Sequence, residues 1–511
     1  MNILGIRSPS IINNLSTAIS PSLPIGLAYI IGAIKDLVEI EIIDPIACKP
    51  NISELTPYKN GTSILGLTPE ETIELVNKKP DICLISSMFS MEWPITKELI
   101  NLVKERFPEC LIIGGGEHFS ALPEYSLSNS PLDIVVMGEG EIVIRKLIKR
   151  IKEKGISGYL DIEGTVVNHL ETGKIIAYNK QERIRNIDTI NMPAWEYFDV
   201  ASFLDNGIGN SSNSKTNVRP IPLNATRGCP YQCTFCSNPD MWGALWLSRS
   251  PNLIISEMKY LIDRYNISHF DFTDLTLAVN KSWLNTFAKL LTREKLPVTW
   301  GLPSGTRSEA LDEETQTNLY KAGLRDLDYA PESGSNTILQ IMKKKIDKNK
   351  MVKAISISNK LGILTKANII FGYPEENRRH VLETYCFIIK MAFYGLDDII
   401  ITPLSVYPGS EVYKRIKTRD NIVIDENYFL SLSSQGSLNI SNCYSNYYSA
   451  VELWLFKIIG MSLFYIFSFL FRPKRLFVFF NDLMKMEGST RLSMAVINIF
   501  RRYKSKNVIT N

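Results

Sequence analysis

Three cysteines within eight residues constrain this chain more than any other stretch of its sequence. Cys229, Cys233 and Cys236 are spaced Cys-x3-Cys-x2-Cys, and Gly228 and Pro230 flank the first of them in what reads as a tight loop. Thiolates are the ligands of iron–sulfur clusters, and a [4Fe–4S] cluster normally takes four. No Cys or His within 30 residues on either side supplies a fourth. The spacing therefore predicts a [4Fe–4S] cluster with one iron open to an outside ligand.

Two other uses of cysteine fit this loop less well. A structural zinc site requires a closed set of four donors, and only three are at hand. A disulfide framework fails because an odd trio this close together does not pair off. The open-iron cluster remains the favoured interpretation.

The cysteine loop closely resembles the signature of the radical S-adenosylmethionine (SAM) superfamily. The resemblance implies that the open iron chelates the amino and carboxylate groups of SAM, and that an electron from the cluster cleaves SAM to a 5′-deoxyadenosyl radical. It also implies that Phe235, the aromatic residue before the last cysteine, lies near the adenine. Ser237, directly after that cysteine, is a further expected cofactor contact.

Length and composition indicate an ordinary multi-domain globular protein. With 511 residues, 45% apolar and 22% charged, the chain is long enough for two or three domains. A net charge of +4 is small for this length and gives no indication of nucleic-acid binding. The five cysteines outside the loop are isolated, which favours a reducing cytoplasm, and the apolar N-terminal residues read as a strand and not as a signal peptide.

Residues 1–155 alternate short apolar runs with helical patterns. Alternation of this kind predicts an α/β domain with a doubly wound parallel sheet, Rossmann-like, because buried parallel strands are almost continuously apolar. The strands are expected at Asn2–Ile6, Glu39–Asp44, Asp81–Ser87, Cys110–Gly115 and Asp133–Gly138, with helices at Ile25–Leu37, Pro94–Arg106 and Glu141–Lys152.

Ligands of such sheets bind beyond the carboxyl ends of the strands, where glycine lets the backbone approach a bulky ligand. No G-x-G-x-x-G follows the first strand, so a dinucleotide site is less favoured. The candidate ligand contacts at these ends are Ser86, Ser87, Gly115, Gly116, Glu117, His118, Gly138, Glu139 and Gly140.

The order of these turns, preceded by Pro24–Tyr29, resembles the cobalamin-binding domain that precedes many radical SAM modules. The resemblance covers nearly all of residues 1–150 and implies a cobalamin site. The Asp-x-His-x-x-Gly pattern that would supply a lower histidine ligand to cobalt is absent, as in relatives that hold cobalamin base-off. A retained but empty Rossmann-like domain is the alternative.

Two residue types in this domain allow competing interpretations. His118 is expected to contact the ligand and not to act as an acid or base. Cys48, Cys83 and Cys110 would serve a second cluster only if they met at the ligand edge. Cys83 falls in the middle of a predicted strand and Cys110 at the start of another, away from that edge, so buried thiols used as small apolar residues are favoured.

A connector is expected over residues 156–221. Residues 156–180 suit a small β-hairpin with Gly164 and Gly173 at its turns, and Asn191–Glu196 resembles the segment that bridges the two domains in this family. Residues 205–214 are small and polar and predict a flexible surface loop.

Residues 222–420 predict a partial (β/α)6 barrel, whose chemistry would lie at the carboxyl ends of its strands. Each of six apolar runs is followed by a helical pattern. The strands are expected at Pro222–Thr226, His269–Thr273, Val298–Leu302, Asp326–Ala330, Leu364–Phe371 and Asp398–Thr402.

Several residues at these strand ends match family motifs. Glu332 and Ser333 belong to a Glu-Ser-Gly-Ser segment that, by resemblance, contacts the ribose and amino-acid parts of SAM. Gly372 and Pro374 belong to a Gly-x-Pro-Glu-Glu turn that would lie near the adenine. Asp274 matches a turn after the second strand in which the usual Asp-Asp pair is reduced to Thr-Asp. Arg307 is a weaker candidate that also fits a structural ion pair.

The C-terminal residues 421–511 are predicted to form a helical cap. Val451–Phe471 is the most apolar stretch, but Glu452 and Lys457 leave only 14 residues, Ile458–Phe471, free of charge. A membrane span needs about 20 residues. Aromatic residues beside later basic ones would suit a membrane surface, whereas a helical cap closing the partial barrel is the favoured interpretation.

Together these features predict a cytoplasmic, cobalamin-dependent radical SAM enzyme, most simply a C-methyltransferase. A cobalamin-dependent oxidative cyclase shares the same domain order, and a non-catalytic cobalamin-binding protein is the third hypothesis. The resemblance implies a small-molecule substrate (a natural-product, lipid or tetrapyrrole intermediate) and an electron donor such as flavodoxin or ferredoxin. It implies no nucleic-acid partner, and peripheral membrane contact would involve the C-terminal segment.

Overall fold

The computed structural model describes residues 1–16, 21–51, 54–169, 172–179, 181–206, 218–486, 488, 490–497 and 500. Most of the predicted polar loop over 205–214, and the basic residues beyond 500, lie outside this part of the chain.

The first part of the chain forms one seven-stranded sheet. Five of its strands are parallel and take the order β2-β1-β3-β4-β5, the flavodoxin-like doubly wound order. Such sheets bind ligands where the strand order reverses, which here lies between β1 and β3. The predicted doubly wound parallel sheet is confirmed. Its strands are β1 (Asn2–Arg7), β2 (Glu39–Ile43), β3 (Ile82–Ser86), β4 (Leu111–Gly115) and β5 (Ile134–Val136).

Helices cover both faces of this sheet. α1 (Ile25–Ile34) and α4 (Gly140–Lys154) pack together on one face, and α2 (Trp93–Arg106) covers the other. α3 (Glu117–Ala121) begins directly after the glycine turn that follows β4. The remaining short helices of this half are Pro45–Cys48, Pro69–Glu74, Pro123–Asn129 and Val200–Asp205.

The three isolated cysteines of this half do not share one environment. Cys83 and Cys110 are buried in the core, as predicted. Cys48 is exposed, so the prediction of a buried thiol is wrong there. The residue ends the single-turn helix Pro45–Cys48, whose buried side is formed by the three residues before it.

The predicted hairpin is present but belongs to the sheet. Strands β6 (Thr165–Asn168) and β7 (Ile175–Ala177) pair antiparallel, and both predicted turn glycines, Gly164 and Gly173, have positive φ. β6 also pairs antiparallel with β5. Without the hairpin, the outer edge of β5 would leave its backbone N–H and C=O groups unpaired, and β6 supplies their hydrogen-bond partners. A three-stranded sheet of Ser10–Asn13, Thr56–Pro57 and Thr62–Leu65 was not predicted, because strands this short carry no readable alternation.

The second half is an open barrel of six parallel strands in sequence order, as predicted. The strands are β8 (Pro220–Leu223), β9 (His269–Phe272), β10 (Thr299–Thr306), β11 (Leu324–Glu332), β12 (Leu364–Phe371) and β13 (Asp398–Pro403). Six main helices cover them: α5 (Pro251–Tyr265), α6 (Lys281–Glu294), α7 (Glu313–Lys321), α8 (Lys348–Leu361), α9 (Arg378–Tyr394) and α10 (Glu411–Asp420). Asn238–Trp242, Asn336–Ile341 and Glu426–Ser431 are single short helices.

The first barrel strand ends earlier than predicted. β8 stops at Leu223, and Thr226–Arg227 pair antiparallel with Leu247–Ser248 in a separate two-stranded ribbon. The carboxylate of Asp274 accepts the N–H groups of Ala225 and Thr226, which turns the chain out of the barrel sheet. The predicted strand over Pro222–Thr226 is therefore wrong at its carboxyl end.

Helix α11 (Ala450–Phe471) and helix α12 (Lys474–Lys485) form the expected helical C-terminal segment. α11 packs on α9 and β13, which covers the last strand of the open barrel. By length and composition this one helix would also suffice to cross a membrane, with 28% of its most apolar window buried. Polar contacts tie it to the barrel, because Tyr465 donates to Asp398 (2.6 Å) and Tyr385 donates to the Phe456 carbonyl (2.9 Å).

Candidate active site

The cysteine loop is fixed to two strand-end segments of the barrel. Thr234, between the second and third cysteines, donates its N–H to the Met342 carbonyl (3.0 Å) and accepts from the Val412 N–H (2.8 Å). Its hydroxyl lies 2.5 Å from that of Tyr373, in the turn after β12. The loop is thereby held at the carboxyl ends of the barrel strands, where the chemistry of β/α barrels takes place.

Glycine is required at the residue before the first cysteine. Gly228 has φ +83°, and a Cβ built there would lie 2.1 Å from the Leu245 carbonyl oxygen. A side chain would therefore need both a strained backbone and a displaced neighbour. Both constraints fix the path of the loop.

The three cysteines carry the features of a cluster site. All are partly buried, and burial raises the pKa of each thiol, that of Cys236 to about 12. Cations stand nearby, since Lys344 and Arg307 favour the thiolate forms of Cys229 and Cys233. Because cluster ligands must be thiolates, a thiolate-ligated cluster fits this cationic surrounding.

Among the described residues, no three His, Cys, Asp or Glu side chains converge closely enough to share one metal ion. A cubane cluster spreads three cysteines over three separate irons, so its ligands need not converge on one point. A closed structural zinc site needs four such donors around one ion. The three cysteines are therefore compatible with the predicted cluster.

Glu332 ends β11 in an uncommon conformation. Its φ is +63°, a value that is rare for residues other than glycine and that occurs where the surroundings enforce it. The buried carboxylate pairs with buried Lys344 at 3.0 Å. Lys344 in turn lies 5.9 Å from the ring centre of Phe235. Glu332, the predicted SAM contact, therefore lies beside the cysteine loop.

Ser333 follows Glu332 and is fully buried. Its hydroxyl lies 3.2 Å from that of Thr384 and accepts the Ser335 N–H (3.1 Å). These contacts hold the turn after β11 against α9. The hydroxyl is engaged within the protein, whereas the prediction that Ser333 contacts SAM remains a prediction.

The Gly-x-Pro-Glu-Glu turn after β12 is organised by Glu376. Its carboxylate accepts the Gly372 N–H (2.7 Å) and the Tyr448 hydroxyl (2.5 Å). Burial raises the pKa of Glu376 to about 7. The Pro374 carbonyl accepts the Asn446 N–H (3.0 Å), so the C-terminal segment closes this turn from outside.

Asp274 holds the segment that precedes the cysteines through hydrogen bonds. Besides the N–H groups of Ala225 and Thr226, its carboxylate accepts the Thr226 hydroxyl (2.5 Å). Burial raises the pKa of Asp274 to about 6, although these hydrogen bonds oppose the shift.

The guanidinium of Arg307 lies 3.7 Å from the ring centre of Tyr231, in the cysteine loop, and pairs with Glu309 at 3.1 Å. It therefore supports the loop from the side.

The turn after β4 of the first domain reaches the cysteine loop directly. Glu117 accepts a short hydrogen bond from the Ser237 hydroxyl, and its charge acts on Cys236. Burial raises the pKa of the Glu117 carboxyl. Gly116 permits this approach, since its φ is +113° and an added Cβ would lie 2.3 Å from the Ser87 carbonyl oxygen. Gly115 has open space around it.

The turn after β5 is bound to the barrel by ion pairs. Glu139 pairs with Arg183 (2.6 Å) and with Arg227 (3.2 Å), and Glu141 pairs with Arg227 (2.5 Å). The Arg227 guanidinium also lies over the ring of Tyr29, 4.9 Å from its centre. The Glu139 carboxylate thus serves domain contact, and its predicted cofactor contact remains a prediction.

His118 is a core histidine in this structure. Its ring is buried and stacks on Trp93 with 4.8 Å between centres. Nδ1 lies 3.0 Å from the Ser90 hydroxyl and Nε2 lies 3.4 Å from that of Ser126. Burial lowers the pKa of His118 to about 3, so the imidazole is neutral at physiological pH. A ligand contact through the ring would require it to leave these partners.

The other predicted contacts of the first domain lie at the same sheet edge. Ser87 is buried and donates its N–H to the Gly115 carbonyl (3.1 Å), while the Ser86 carbonyl accepts from Ser8 (2.9 Å). Gly138 donates its N–H to Ser120 (3.0 Å). Gly140 begins α4, where an added Cβ would lie 2.7 Å from Ile30 Cδ1. The structure therefore brings the two sets of predicted turns to one junction.

Sequence reasoning missed Lys344, Arg227 and Tyr448, which anchor the site. Arg227 lies two residues before Cys229, and this closeness to the motif is the only sequence signal among the three. Lys344 and Tyr448 carry no local signal, because their partners Glu332 and Glu376 are 12 and 72 residues away in sequence.

Comparisons with known proteins match both halves of the chain. Residues 223–388 match the model of the radical SAM superfamily, and residues 15–148 match that of the B12 binding domain. An uncharacterised methyltransferase, PH0819, of Pyrococcus horikoshii is 25% identical over 76% of this chain and 78% of its own length. The anaerobic magnesium-protoporphyrin IX monomethyl ester cyclase of Rubrivivax gelatinosus is 24% identical over 70% and 62%.

A solved structure shares the fold. The radical SAM methyltransferase TsrM of Kitasatospora setae, with cobalamin and a [4Fe–4S] cluster bound, superposes with a TM-score of 0.61 at 16% identity. The superposition covers 82% of this chain and 78% of TsrM. The order of a B12 domain followed by a radical SAM barrel is thus common to both.

The two matched domains define the cofactors of the protein. The radical SAM domain binds a [4Fe–4S] cluster and SAM, and the B12 domain binds cobalamin. The cysteine loop and the turns after β4 and β5 of the first sheet meet at one junction. The chain belongs to the family of radical SAM enzymes that carry an N-terminal cobalamin-binding domain.

Proposed function

We propose that this protein is a cobalamin-dependent radical SAM methyltransferase that methylates an unactivated carbon of a small molecule. When bound, the cluster supplies the electron that cleaves SAM, and cobalamin carries the methyl group. The protein's own residues bind these groups, orient them and exclude water.

The contact between Glu117 and Ser237 carries the proposal. It joins the glycine turn of the B12 domain to the residue next to Cys236, so the two cofactor-binding regions share one wall. A domain that bound cobalamin independently of the radical SAM reaction would not require a contact with the cysteine loop. The ion pairs of Arg227 with Glu139 and Glu141 support the same junction from a second side.

Different residues of the chain are proposed to bind the cluster, to contact SAM and to position the strand-end turns. Cys229, Cys233 and Cys236 are the proposed cluster ligands. Lys344 holds Glu332 at the end of β11, where the carboxylate suits ribose hydroxyls or an ammonium group. Glu376 and Tyr448 fix the turn of Gly372, and the C-terminal segment excludes water behind it.

Methyl transfer is favoured over cyclisation because the sequence match covers more of the methyltransferase relative than of the cyclase relative. The methyltransferase relative PH0819 is matched over 78% of its length, whereas the cyclase of Rubrivivax gelatinosus is matched over 62% of its own. The cyclase reaction is the second candidate, and a non-catalytic cobalamin-binding protein is the third.

Anaerobically reconstituted protein incubated with methyl-labelled SAM, a reductant and a small-molecule extract of the host cells as the source of acceptor separates the three. A methyltransferase releases 5′-deoxyadenosine and places label in a product. A cyclase releases 5′-deoxyadenosine with no label transferred. Protein that fails to cleave SAM at all would be a binding protein and would refute the proposal. The matched control is Cys443→Ser, because Cys443 is a partly buried thiol outside the loop, whereas Cys236→Ser is expected to abolish cleavage.

We further propose a cytoplasmic enzyme that receives its electron from a small redox protein such as flavodoxin or ferredoxin and has no nucleic-acid partner. The supporting observations are the unpaired cysteines and the small net charge of +4. Reduction by purified flavodoxin, followed through SAM cleavage, tests the donor.

Peripheral contact with anionic membranes is the last part of the proposal. α11 and α12 expose an apolar surface of Ile466, Leu470, Phe477, Phe480 and Met484, of which Phe477 is 76% and Met484 78% exposed. Exposed Lys474 and Lys485 lie at the two ends of α12. Apolar side chains beside basic ones suit an anionic lipid surface.

Vesicle sedimentation tests this contact. The protein is expected to sediment with vesicles containing phosphatidylglycerol more than with pure phosphatidylcholine, and Phe477→Asp should reduce binding. Val423→Asp, at a 72% exposed apolar residue elsewhere, is the control. Equal binding by wild type and Phe477→Asp would refute membrane contact through this surface.

A further inference from the structure

On the last two strands of the barrel, the residues that face inward are half-exposed, whereas those that face outward are buried. Along β12 the buried residues alternate with half-exposed ones, and the buried set packs outward, with Phe371 5.9 Å from the ring centre of Tyr385 on α9. Lys366, Asn368 and Ile370 therefore face inward. Ile400 and Thr402 on the neighbouring strand β13 pair with Asn368 and Ile370 and are also half-exposed. Solvent thus reaches the barrel interior beside β12 and β13.

Charged residues form the deep end of this interior. Asp328 on β11, Lys366 on β12 and Asp398 on β13 are neighbours in the sheet register. Asp328 faces inward because the next residue, Tyr329, points outward and lies 3.0 Å from Ser358 on α8. We call these three residues the barrel floor.

The C-terminal segment closes the floor from below. Tyr465 donates to one Asp398 oxygen (2.6 Å), and the Arg491 N–H donates to the other (2.8 Å). Both oxygens of Asp398 therefore have partners, and this carboxylate is a structural member of the floor.

Asp328 differs from Asp398 in this respect. It is 6% exposed, yet no residue that the structure describes donates a hydrogen bond to its carboxylate or places a cation within 4.0 Å. Burial raises the pKa of Asp328 to about 6, while Lys366 and Arg491 oppose the shift. A largely buried carboxylate without a protein donor can accept a hydrogen bond from a ligand.

The floor also has a defined depth below the SAM-binding end. Asp328 pairs with Lys366 and Glu332 pairs with Ile369, three residues further along β12, so the two levels are separated by about 10 Å along that strand. The walls between them carry Asn368, Ile370 and Thr402, which offer both polar and apolar contacts. A molecule bound between the two levels would be elongated.

We propose that the barrel floor binds an amine of the substrate, with the ammonium group donating to Asp328 and the methylated carbon about 10 Å away toward the barrel mouth. This inference rests on the proposed methyltransferase function and names a substrate class for it. An all-hydrocarbon substrate would leave Asp328 without a donor. An anionic group would meet three carboxylates, those of Asp326, Asp328 and Asp398, which outnumber the nearby cations Lys366 and Arg491 and would repel it.

Calorimetric titration of the reconstituted holoenzyme with n-hexylamine and 1-hexanol tests the subsite. The two probes have equal chain lengths and differ in the charged group. The amine is expected to bind at least about tenfold more tightly, the range of a charge-assisted hydrogen bond. Asp328→Asn should abolish that preference, and Lys366→Met should increase it because a competing cation is removed. Glu313→Gln on the exposed face of α7 is the control.

The iron and cobalt contents of Asp328→Asn verify that the variant is folded and loaded. SAM cleavage by the wild type is recorded in parallel, so that failure of the subsite and failure of the proposed function are distinguishable. If the wild type cleaves SAM but binds the amine no better than the alcohol, the subsite is refuted. Equal amine binding by Asp328→Asn and the wild type refutes it too, as does unchanged or weaker binding by Lys366→Met.

Discussion

Buried carboxylates hold each turn of the site in place, and donors from distant parts of the chain bind them. Asp274 accepts the backbone before the cysteines, Glu332 pairs with Lys344, and Glu376 accepts Gly372 and Tyr448. Burial of a carboxylate raises its pKa unless donors compensate. The pH dependence of stability should therefore report on these residues individually.

Glu376→Gln tests this at one residue. The folded pKa of Glu376 is raised to about 7 from 4.5, so its stabilising effect is full below pH 4.5 and is lost as the pH rises through 7. Glutamine cannot ionise and avoids that loss. Between pH 5 and pH 8 the variant should gain about 3 kcal/mol in unfolding free energy relative to wild type. Thermal unfolding midpoints across this range provide the measurement.

Glu375→Gln is the adjacent control. Glu375 lies at the surface, 38% exposed, and pairs with Arg415 at 2.8 Å, so its substitution should give a nearly constant offset from wild type across the same pH range. A stability difference between Glu376→Gln and wild type that does not change with pH would contradict the role assigned to Glu376.

At the scale of elements, the cysteine loop depends on backbone conformation as much as on its thiols. Gly228→Ala should prevent the loop from closing, because its Cβ would lie 2.1 Å from the Leu245 carbonyl at φ +83°. The variant should retain less than about a tenth of the wild-type iron after reconstitution, a loss that corresponds to more than about 1.4 kcal/mol. Iron is measured colorimetrically.

Gly26→Ala is the matched substitution, since a Cβ at Gly26 has no neighbour within 4 Å and the residue lies in α1. It should leave the iron content unchanged and slightly favour the helix. Full iron loading of Gly228→Ala would show that the loop does not require this backbone.

The elements that could be predicted from the sequence are those with a periodic apolar pattern or a spaced motif. The six barrel strands and five sheet strands follow from apolar runs, and the cysteine loop follows from its spacing. The break after Leu223 could not be predicted, because it depends on Asp274, about 50 residues later. The partners of Glu332 and Glu376 are also distant in sequence, and whether His118 faces a ligand or the core is decided by packing on Trp93.

For the whole molecule, the junction between the two domains is the decisive feature. Arg227 is buried and pairs with two carboxylates of the first domain, while Arg183 shares Glu139 from the connector. Breaking a buried pair leaves an uncompensated charge, whereas exposed pairs contribute little. The junction should therefore be far more sensitive to substitution than the surface.

Arg227→Met should destabilise the protein by about 3 kcal/mol, because Glu141, whose side chain is only 11% exposed, loses its cation. Arg378→Met, which breaks the exposed pair with Glu452, should change stability by less than about 1 kcal/mol. Urea unfolding followed by tryptophan fluorescence compares the two. Equal effects of the two substitutions would mean that the junction does not hold the domains together.

In the proposed enzyme, one site holds an iron–sulfur cluster beside cobalamin. The most direct measurement is the iron and cobalt content of protein reconstituted anaerobically with iron, sulfide and hydroxocobalamin and then freed of unbound cofactor. The structure predicts about four irons and about one cobalt per chain. Protein that holds four irons and no cobalt would contradict the two-cofactor site and the methyl transfer that depends on it.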